Sequence, residues 1–235
     1  TFDEYGRVFQ SFDAMRGTSG TETSYNSYGY VDIVYDAETI DGVQTELHNI
    51  QTMDVWGNVD QEIIGSGATI TRTYSPGRGL LTQIDTTTAV VFNLQLIDYT
   101  YDELGNLETR HIQSSSRDLD ETFSYDGLNR LTQVVKCIGS TCSTTSTMTY
   151  DSFGNIDTKS GVGTYTYGAG NAGPHAVTSA AGTTYAYDAN GNMLTGLGGR
   201  SIIYDGENRP VSVTHAGQTT TYVYGPDGKR LKKIS

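Results

Sequence analysis

The feature that most constrains the fold of this chain is a short segment that returns along nearly its whole length. In each copy a tyrosine is followed by aspartate, two further residues, glycine or asparagine, a polar residue and an apolar residue. The residues that carry the pattern are Tyr101, Asp102 and Gly105; Tyr125, Asp126 and Asn129; Tyr150, Asp151 and Gly154; Tyr187, Asp188 and Gly191; and Tyr204, Asp205 and Asn208. A sequence that repeats in this way builds one supersecondary unit again and again.

The composition of the segment is that of a tight turn. Aspartate is favoured at the first position of a type I β-turn, where its carboxylate can accept hydrogen bonds from the backbone ahead of it. Glycine and asparagine accept a positive φ at little cost, and a type I turn followed by one left-handed residue closes a hairpin with a bulge. We therefore expect Gly105, Gly154 and Gly191 at positive φ.

The residues on either side of the turns alternate as in strands with one buried face. Large side chains lie two residues apart before the turn, as at Tyr99 and Tyr101, and an apolar residue such as Leu131 follows it. We expect an all-β fold: a long, strongly curved antiparallel sheet of repeated β-hairpins. Curvature is expected because about twenty strands exceed the roughly ten that an open sheet usually holds.

No linker or charge block divides the sequence, so we expect a single β domain over residues 1–235. Its copies are degenerate over residues 1–100 and regular over residues 101–235. Looser copies begin at Phe2, Met53 and Tyr224.

Three parts of the degenerate half depart from the pattern. Residues 1–50 are the least regular, and residues 17–30 within them form a stretch rich in Ser, Thr, Gly and Tyr. Pro76 and Gly77 predict a turn of another type, with these two residues in its centre. The apolar run at residues 89–96 predicts a strand that is buried on both faces.

The charge balance excludes one class of partner. The formal net charge is −12, whereas proteins that bind nucleic acid neutralise phosphates with clustered Lys and Arg. A basic cluster near the end can bind polyanions, but we favour a solvated strand; it comprises Lys229, Arg230, Lys232 and Lys233. No apolar run reaches the roughly 18 residues that a membrane span requires. We expect no nucleic acid partner and no membrane span in this segment.

The two cysteines of the chain are predicted to form a disulfide. Cys137 and Cys142 flank the four residues 138–141, which places them opposite each other on a hairpin. Free thiols are the alternative. We favour the bridge because paired cysteines at an exposed turn suit an oxidising compartment.

The remaining polar residues do not form a catalytic or metal-binding pattern. The four histidines lie far apart, without the spacing of metal ligands; they are His48, His111, His175 and His215. The repeated aspartates stand before glycine in nearly every copy, which fits turns better than calcium loops. We expect no catalytic, cofactor-binding or metal-binding residue, and therefore no enzymatic activity. An unrepeated site could lie in the first fifty residues or around His175.

With these residues the chain resembles the YD-repeat, or RHS-repeat, family, whose pattern is Tyr-Asp, two residues, Gly, Arg or Asn, and an apolar residue. The segment from Gly173 to Thr178 is also similar to one found among RHS repeats. Proteins of this family include bacterial RHS toxins, insecticidal toxin complexes and teneurins. It implies a strip wound into a hollow spiral shell that encloses a C-terminal toxin or effector. It also implies a secreted or cell-surface protein of bacterial origin.

The resemblance further implies that this chain is a piece of a larger shell, whose partners are the rest of that shell and the enclosed passenger. The family's self-cleaving core would follow Ser235, so no such activity is assigned to these residues. An alternative function is a glycan-binding or cell-surface adhesion module, because exposed tyrosines can stack on sugar rings. An all-β enzyme is the weakest interpretation.

Overall fold

The computed structural model describes residues 1–13, 16–65, 67–91, 94–196 and 198–235. Within them the fold is all-β, as predicted, and contains no helix. The strands are β1 (Gln10–Asp13), β2 (Arg16–Tyr25), β3 (Val31–Ile40), β4 (Val43–Met53), β5 (Val59–Ile64), β6 (Ala68–Tyr74), β7 (Leu81–Thr87), β8 (Gln95–Tyr101), β9 (Leu107–Ser114), β10 (Arg117–Tyr125), β11 (Leu131–Ile138), β12 (Thr141–Tyr150), β13 (Ile156–Lys159), β14 (Gly163–Thr164), β15 (Thr166–Tyr167), β16 (Val177–Ala180), β17 (Thr183–Thr184), β18 (Ala186–Tyr187), β19 (Met193–Gly196), β20 (Arg200–Tyr204), β21 (Pro210–His215), β22 (Gln218–Tyr224) and β23 (Arg230–Ile234). None of the described residues belongs to a helix long and apolar enough to cross a membrane.

Each strand pairs with its neighbours in the sequence. In the described part of the chain, β1 to β14 form one sheet in sequence order, β15 to β17 form a second, and β18 to β23 form a third. Neighbouring strands run antiparallel. The predicted long antiparallel sheet of hairpins is confirmed, while its strong curvature stays a prediction.

The chain divides into two compact units. Unit 1 comprises Thr1–Ser124 and Val135–Ser143, and unit 2 comprises Tyr125–Val134 and Thr144–Ser235. That one domain covers all 235 residues stays a prediction.

The repeated turns occupy every second connection between the strands of unit 1. The strands β2, β4, β6 and β8 each end at a turn of the repeated type. The hairpin between β3 and β4 instead closes with Asp41 and Gly42, at φ 54° and 78°, the left-handed pair of a two-residue hairpin turn. Because successive strands are antiparallel, the repeated turns of this unit all lie at the same end of its strands, which we call the turn edge.

The sheet of unit 1 has two unlike faces, because directly paired residues share a face and successive residues alternate. One row across β7 to β10 is apolar and consists of Ile84, Ile97, Ile112 and Leu119. The adjacent row on the other face is polar and consists of Gln83, Asp98, His111 and Asp120. Leu119 is buried, yet no large side chain among the described residues is fully buried. The strands of this unit pack mainly against their neighbours in the sheet.

The strand predicted at residues 89–96 is wrong for residues 89–91 and 94, whereas residues 95 and 96 belong to β8. β7 ends at Thr87 and β8 begins at Gln95. Between them Thr88 N donates to Val91 O at 2.9 Å, and Val91 N donates to the Thr88 hydroxyl oxygen at 3.0 Å. The threonine side chain thus closes a local turn, and Val90 is exposed. Residues 92 and 93 lie outside the described part.

Candidate functional site: the repeated turn

Each motif aspartate organises its own turn, as Asp102 shows. Its Oδ1 accepts hydrogen bonds from the backbone N of Leu104 at 2.9 Å and of Asn106 at 2.8 Å, and its Oδ2 accepts one from Asn106 Nδ2 at 2.8 Å. Gly105 N donates to Asp102 O at 3.1 Å, and Asp102 N donates to Asn106 O at 3.0 Å. Equivalent bonds form at Asp3, Asp54, Asp126, Asp151, Asp188 and Asp205.

The fourth turn position is left-handed in every regular copy. Gly105, Gly154 and Gly191 have φ of 92°, 86° and 83°, while Asn129 and Asn208 have φ of 60° and 61°. Glycine has no Cβ to clash in this region, and asparagine tolerates it better than most residues. The hairpin then contains a bulge, since the register of β8 and β9 shifts between the pair Thr100–Thr109 and the pair Tyr101–Leu107.

Two further copies lie in the half that the sequence marked as degenerate. Asn26 replaces the aspartate, and its Oδ1 accepts from Tyr28 N at 3.0 Å and Tyr30 N at 3.1 Å. Gly29 is at φ 87°. The spacing from Tyr25 to Gly29 is that of the motif and could have revealed this copy within residues 17–30.

The turn predicted at Pro76 and Gly77 is a longer variant of the same design. Ser75 takes the place of aspartate, and its hydroxyl oxygen accepts from Leu80 N at 3.1 Å. Gly79 at φ 63° takes the left-handed position, so the loop has one extra residue.

Eight motif tyrosines each join their copy to the one before it, whereas the copy at Asp54 has Met53 in the tyrosine position. The Tyr101 hydroxyl donates to Leu81 O at 2.8 Å, and Leu81 is the first strand residue after the preceding turn. The same bond, at 2.7 to 3.3 Å, joins Tyr25 to Val8, Tyr74 to Val59, Tyr150 to Leu131, Tyr167 to Ile156, Tyr187 to Val177, Tyr204 to Met193 and Tyr224 to Pro210. Burial raises the pKa of Tyr101 and of Tyr187, so both hydroxyls remain protonated donors at neutral pH.

An arginine that follows the left-handed residue stabilises both the turn and the link to the next copy. Arg130 Nε donates to Asp126 Oδ2 at 2.8 Å within its own turn, and its guanidinium carbon lies 4.5 Å from the centre of the Tyr150 ring in the next copy. Arg209 lies over Tyr224 at 5.0 Å in the same way. One side chain thus stabilises a turn by a charged hydrogen bond and packs on the neighbouring copy by a cation–π contact.

A protein-family model described as the teneurin YD-shell matches residues 3–233. The chain belongs to this family. The letters YD in the family name denote the Tyr-Asp pair. In this chain the tyrosine hydroxyl joins neighbouring copies, and the aspartate carboxylate closes the turn. No match was found among curated protein sequences.

Solved structures show the same fold in larger proteins. The Photorhabdus luminescens Tc holotoxin pore structure matches with a TM-score of 0.73 at 18% identity, covering 100% of this chain and 13% of that one. The crystal structure of TcdB2-TccC3-TEV matches with a TM-score of 0.73 at 18% identity, covering 99% of this chain and 13% of that one. This YD-shell chain therefore spans about an eighth of the solved structures that it matches.

The carboxylates of the YD-shell turns stay ionised and accept hydrogen bonds. The side-chain hydrogen bond from Asn106 is the largest influence on the pKa of Asp102 and, with the backbone donors, holds it below its ordinary value of 3.8 despite partial desolvation. The pKa values of Asp54, Asp126, Asp188 and Asp205 are lowered as well. A carboxylate that stays ionised and hydrogen-bonded is suited to hold a turn and poorly suited to take up a proton as a general base.

The irregular copy after Tyr167 is attached to the turn before it. His175 Nδ1 and Asn155 Oδ1 lie 2.7 Å apart, and Asn155 Nδ2 donates to Pro174 O at 3.2 Å. Asn155 is buried and also donates to Asp151 Oδ2 at 2.9 Å. In the described contacts, the polar partner of His175 is thus an amide that belongs to a YD turn.

Cys137 and Cys142 are joined by a disulfide between β11 and β12. The two strands extend further than the sequence indicated, so the loop between them is Gly139 and Ser140 rather than four residues. Gly139 adopts φ 55°, as a two-residue hairpin turn requires.

The fold also brings together charged side chains that are remote in sequence. Glu62 is buried on β5 and contacts both His48 and Arg72 on the neighbouring strands. Burial alone would raise the pKa of Glu62, but the hydrogen bonds and charges of Arg72 and His48 outweigh it and lower the pKa. This cluster is a charged link across three strands.

A second cluster lies on the hairpin of β9 and β10. His111 Nδ1 is 2.7 Å from Asp120 Oδ1, and Asp118 lies nearby, with one potential ligand atom from each residue within 4.8 Å of the others. Both carboxylates are more than half exposed. Sequence spacing missed this group because the histidine and the acids lie on different strands. It forms an exposed group of one histidine and two carboxylates on the polar face.

Proposed function

We propose that this chain is a wall segment of a larger secreted or surface-delivered bacterial YD-shell protein. The remainder of that shell is its partner, and the complete shell encloses or presents a C-terminal toxin or effector. The role of the segment is structural: its tyrosines, aspartates and glycines build the wall, and it has no catalytic activity of its own.

The observation that carries this proposal is the link between successive copies. Eight tyrosine hydroxyls each bind a backbone carbonyl of the preceding copy, so each of these copies is attached directly to its neighbour in the sequence. Globular domains normally bury an apolar face against a second layer. Here the apolar row of unit 1, which includes Ile97 and Ile112, belongs to a sheet in which no large described side chain is fully buried. Such a sheet is suited to a wall against which other protein can lie.

The matched structures support the toxin part of the proposal. They include a Tc holotoxin pore and TcdB2-TccC3 without its hypervariable C-terminal region. A variable C-terminal region attached to this fold is the arrangement expected of a shell with an enclosed passenger. The disulfide between Cys137 and Cys142 supports a secreted location, because such bonds persist in oxidising compartments.

Protease protection of the passenger tests the proposal. The full-length protein that carries these residues together with its downstream passenger is treated with a non-specific protease, and fragments of the passenger are followed by mass spectrometry over time. We expect the passenger to survive in the intact protein and to be digested rapidly when it is produced alone. Equal digestion rates in the two samples would overturn the proposal of enclosure.

A further inference from the structure

The first three YD turns present an aromatic ring at the same place. Tyr5, Tyr28 and Trp56 each stand two residues after the motif aspartate or asparagine, and their exposed fractions are 74%, 86% and 79%. The turns that bear them follow one another along the turn edge of unit 1. The last repeated turn of unit 1 carries Leu104 at this place, 75% exposed, and in unit 2 an aromatic ring returns at Phe153, also 75% exposed. Along the turn edge of unit 1 the aromatic rings therefore belong to the first three turns, since the later turns carry Gly77 and Leu104 instead.

The spacing of these rings follows from the sheet. Successive YD turns are separated by two strands, so the rings repeat at about 10 Å, since neighbouring strands lie about 4.8 Å apart. That is about the length of one disaccharide in an extended chain. Flat rings repeating at this distance along an edge match every second sugar of a linear oligosaccharide.

Concave surfaces lie on both sides of Tyr28. One, of about 490 Å³, lies between the first and second turns and is lined by Tyr5, Arg7 and Tyr28. The other, of about 600 Å³, lies between the second and third turns. Both volumes fall within the range of small-molecule sites, roughly 300–1,000 Å³.

The larger concavity combines apolar and polar groups. Tyr28 and Tyr30 supply rings, and Asn26, Asp32 and Gln51 supply amide and carboxylate groups. Tyr30 lies over Gly57, where even a Cβ would come within 3.3 Å of its hydroxyl, so this glycine lets the ring reach the concavity. A sugar presents one apolar C–H face and a rim of hydroxyls, which is the chemistry that such a surface complements.

We propose that a linear, neutral oligosaccharide binds along the turn edge of unit 1. Its rings stack on Tyr5, Tyr28 and Trp56, and its hydroxyls bond to the polar groups between them, Asp32 and Gln51 among them. An apolar polypeptide would not need aromatic rings in preference to leucine, and it would leave the carboxylate and amide groups without partners. This inference is independent of the proposed shell role, because it concerns only residues at and beside the repeated turns of unit 1.

The chain carries its own reporter, because Trp56 is its single tryptophan. Cellohexaose and chitohexaose are titrated separately into the 235-residue chain, and tryptophan emission is recorded. We expect a saturable blue shift with at least one hexasaccharide, because a stacked sugar removes water from the indole. Absence of a saturable change with both sugars would overturn the proposal.

Three variants make the test specific, with affinity measured by calorimetry. Tyr28→Ala should weaken binding about tenfold, the effect of losing one well-packed aromatic contact. Tyr28→Phe should bind like the unmodified chain, because its ring remains. Leu104→Ala removes an equally exposed apolar side chain from the same turn position and should leave affinity unchanged. An equal loss in Leu104→Ala and Tyr28→Ala would instead indicate a general apolar surface and contradict the sugar site.

Two controls separate this result from folding and from the shell role. Circular dichroism of each variant must show the β-sheet spectrum of the unmodified chain, and a loss of binding in a folded Tyr28→Ala chain counts for the proposal. Passenger protection measured in full-length Tyr28→Ala should be unchanged. Protection and sugar binding that are lost together would contradict the independence of the two functions.

Discussion

Replacing Tyr101 by phenylalanine removes a single hydroxyl and so tests the link between copies. That hydroxyl donates to Leu81 O at 2.8 Å from a ring that is half-buried between strands. A hydrogen bond of this kind contributes a net of about 0.5–1.5 kcal/mol, because water competes for both partners in the unfolded chain. We therefore expect Tyr101→Phe to lower the free energy of unfolding by about 1 kcal/mol, and the melting temperature by about 2–4 °C for a chain of this size.

The same strand offers a matched control. Tyr99 lies two residues earlier on the same face and is also half-buried, but its hydroxyl has no hydrogen-bond partner in the described part of the chain. Equilibrium urea unfolding, followed by circular dichroism, should show Tyr99→Phe within about 0.5 kcal/mol of the unmodified chain. If the two variants lose equal stability, or if neither loses any, the hydroxyl does not join the copies as we describe.

Four further predictions concern the turns and the disulfide. Gly191 is at φ 83° with open space where a Cβ would stand. Gly191→Val should therefore lower the free energy of unfolding by about 1–2 kcal/mol through backbone strain, and Gly191→Asn by clearly less. Urea unfolding measures both, and equal losses would contradict the left-handed turn. Ala216 is at φ 50° in a two-residue turn, so Ala216→Asn should raise stability by up to about 1 kcal/mol and with it the melting temperature; a lower melting temperature would count against this geometry. The pKa of Asp102 is lower in the folded chain than its ordinary value of 3.8. The stabilisation from such carboxylates is thus complete above pH 3.8 and is lost as the pH falls further below it. Acid unfolding should therefore begin below about pH 4, and stability should fall less steeply with pH in Asp102→Asn. An unfolding transition near pH 6 would refute this cause. Mass spectrometry of non-reduced peptides should find Cys137 linked to Cys142, and two free thiols in secreted material would speak against the disulfide and the oxidising compartment.

The fold class could be predicted from the sequence because each copy contains a turn and a strand, and residues close together in the chain specify both. The Tyr-Asp-x-x-Gly spacing identifies a turn, and large side chains at alternate positions, such as Tyr99 and Tyr101, identify a strand. Both depend only on near neighbours in the chain, so no long-range information was needed. The copy at Asn26 was missed because a search for aspartate overlooks an amide whose oxygen accepts the same two hydrogen bonds.

The links between copies were not accessible in the same way. Strand alternation explains why a tyrosine is half-buried but does not tell where its hydroxyl points, and Leu81 O is twenty residues away from Tyr101. Likewise Glu62 meets His48 and Arg72 only through the register of three strands. The strand predicted at residues 89–96 failed for a local reason, since the hydroxyl of Thr88 offered the backbone a turn instead.

Electron cryomicroscopy of the full-length protein tests the shell role most directly. We expect residues 3–233 to form part of a continuous wall around an enclosed volume, with each motif tyrosine in contact with the copy before it and density for the passenger inside. A map in which these residues instead form a compact domain packed against the rest of the protein, with no enclosed volume, would contradict the proposal.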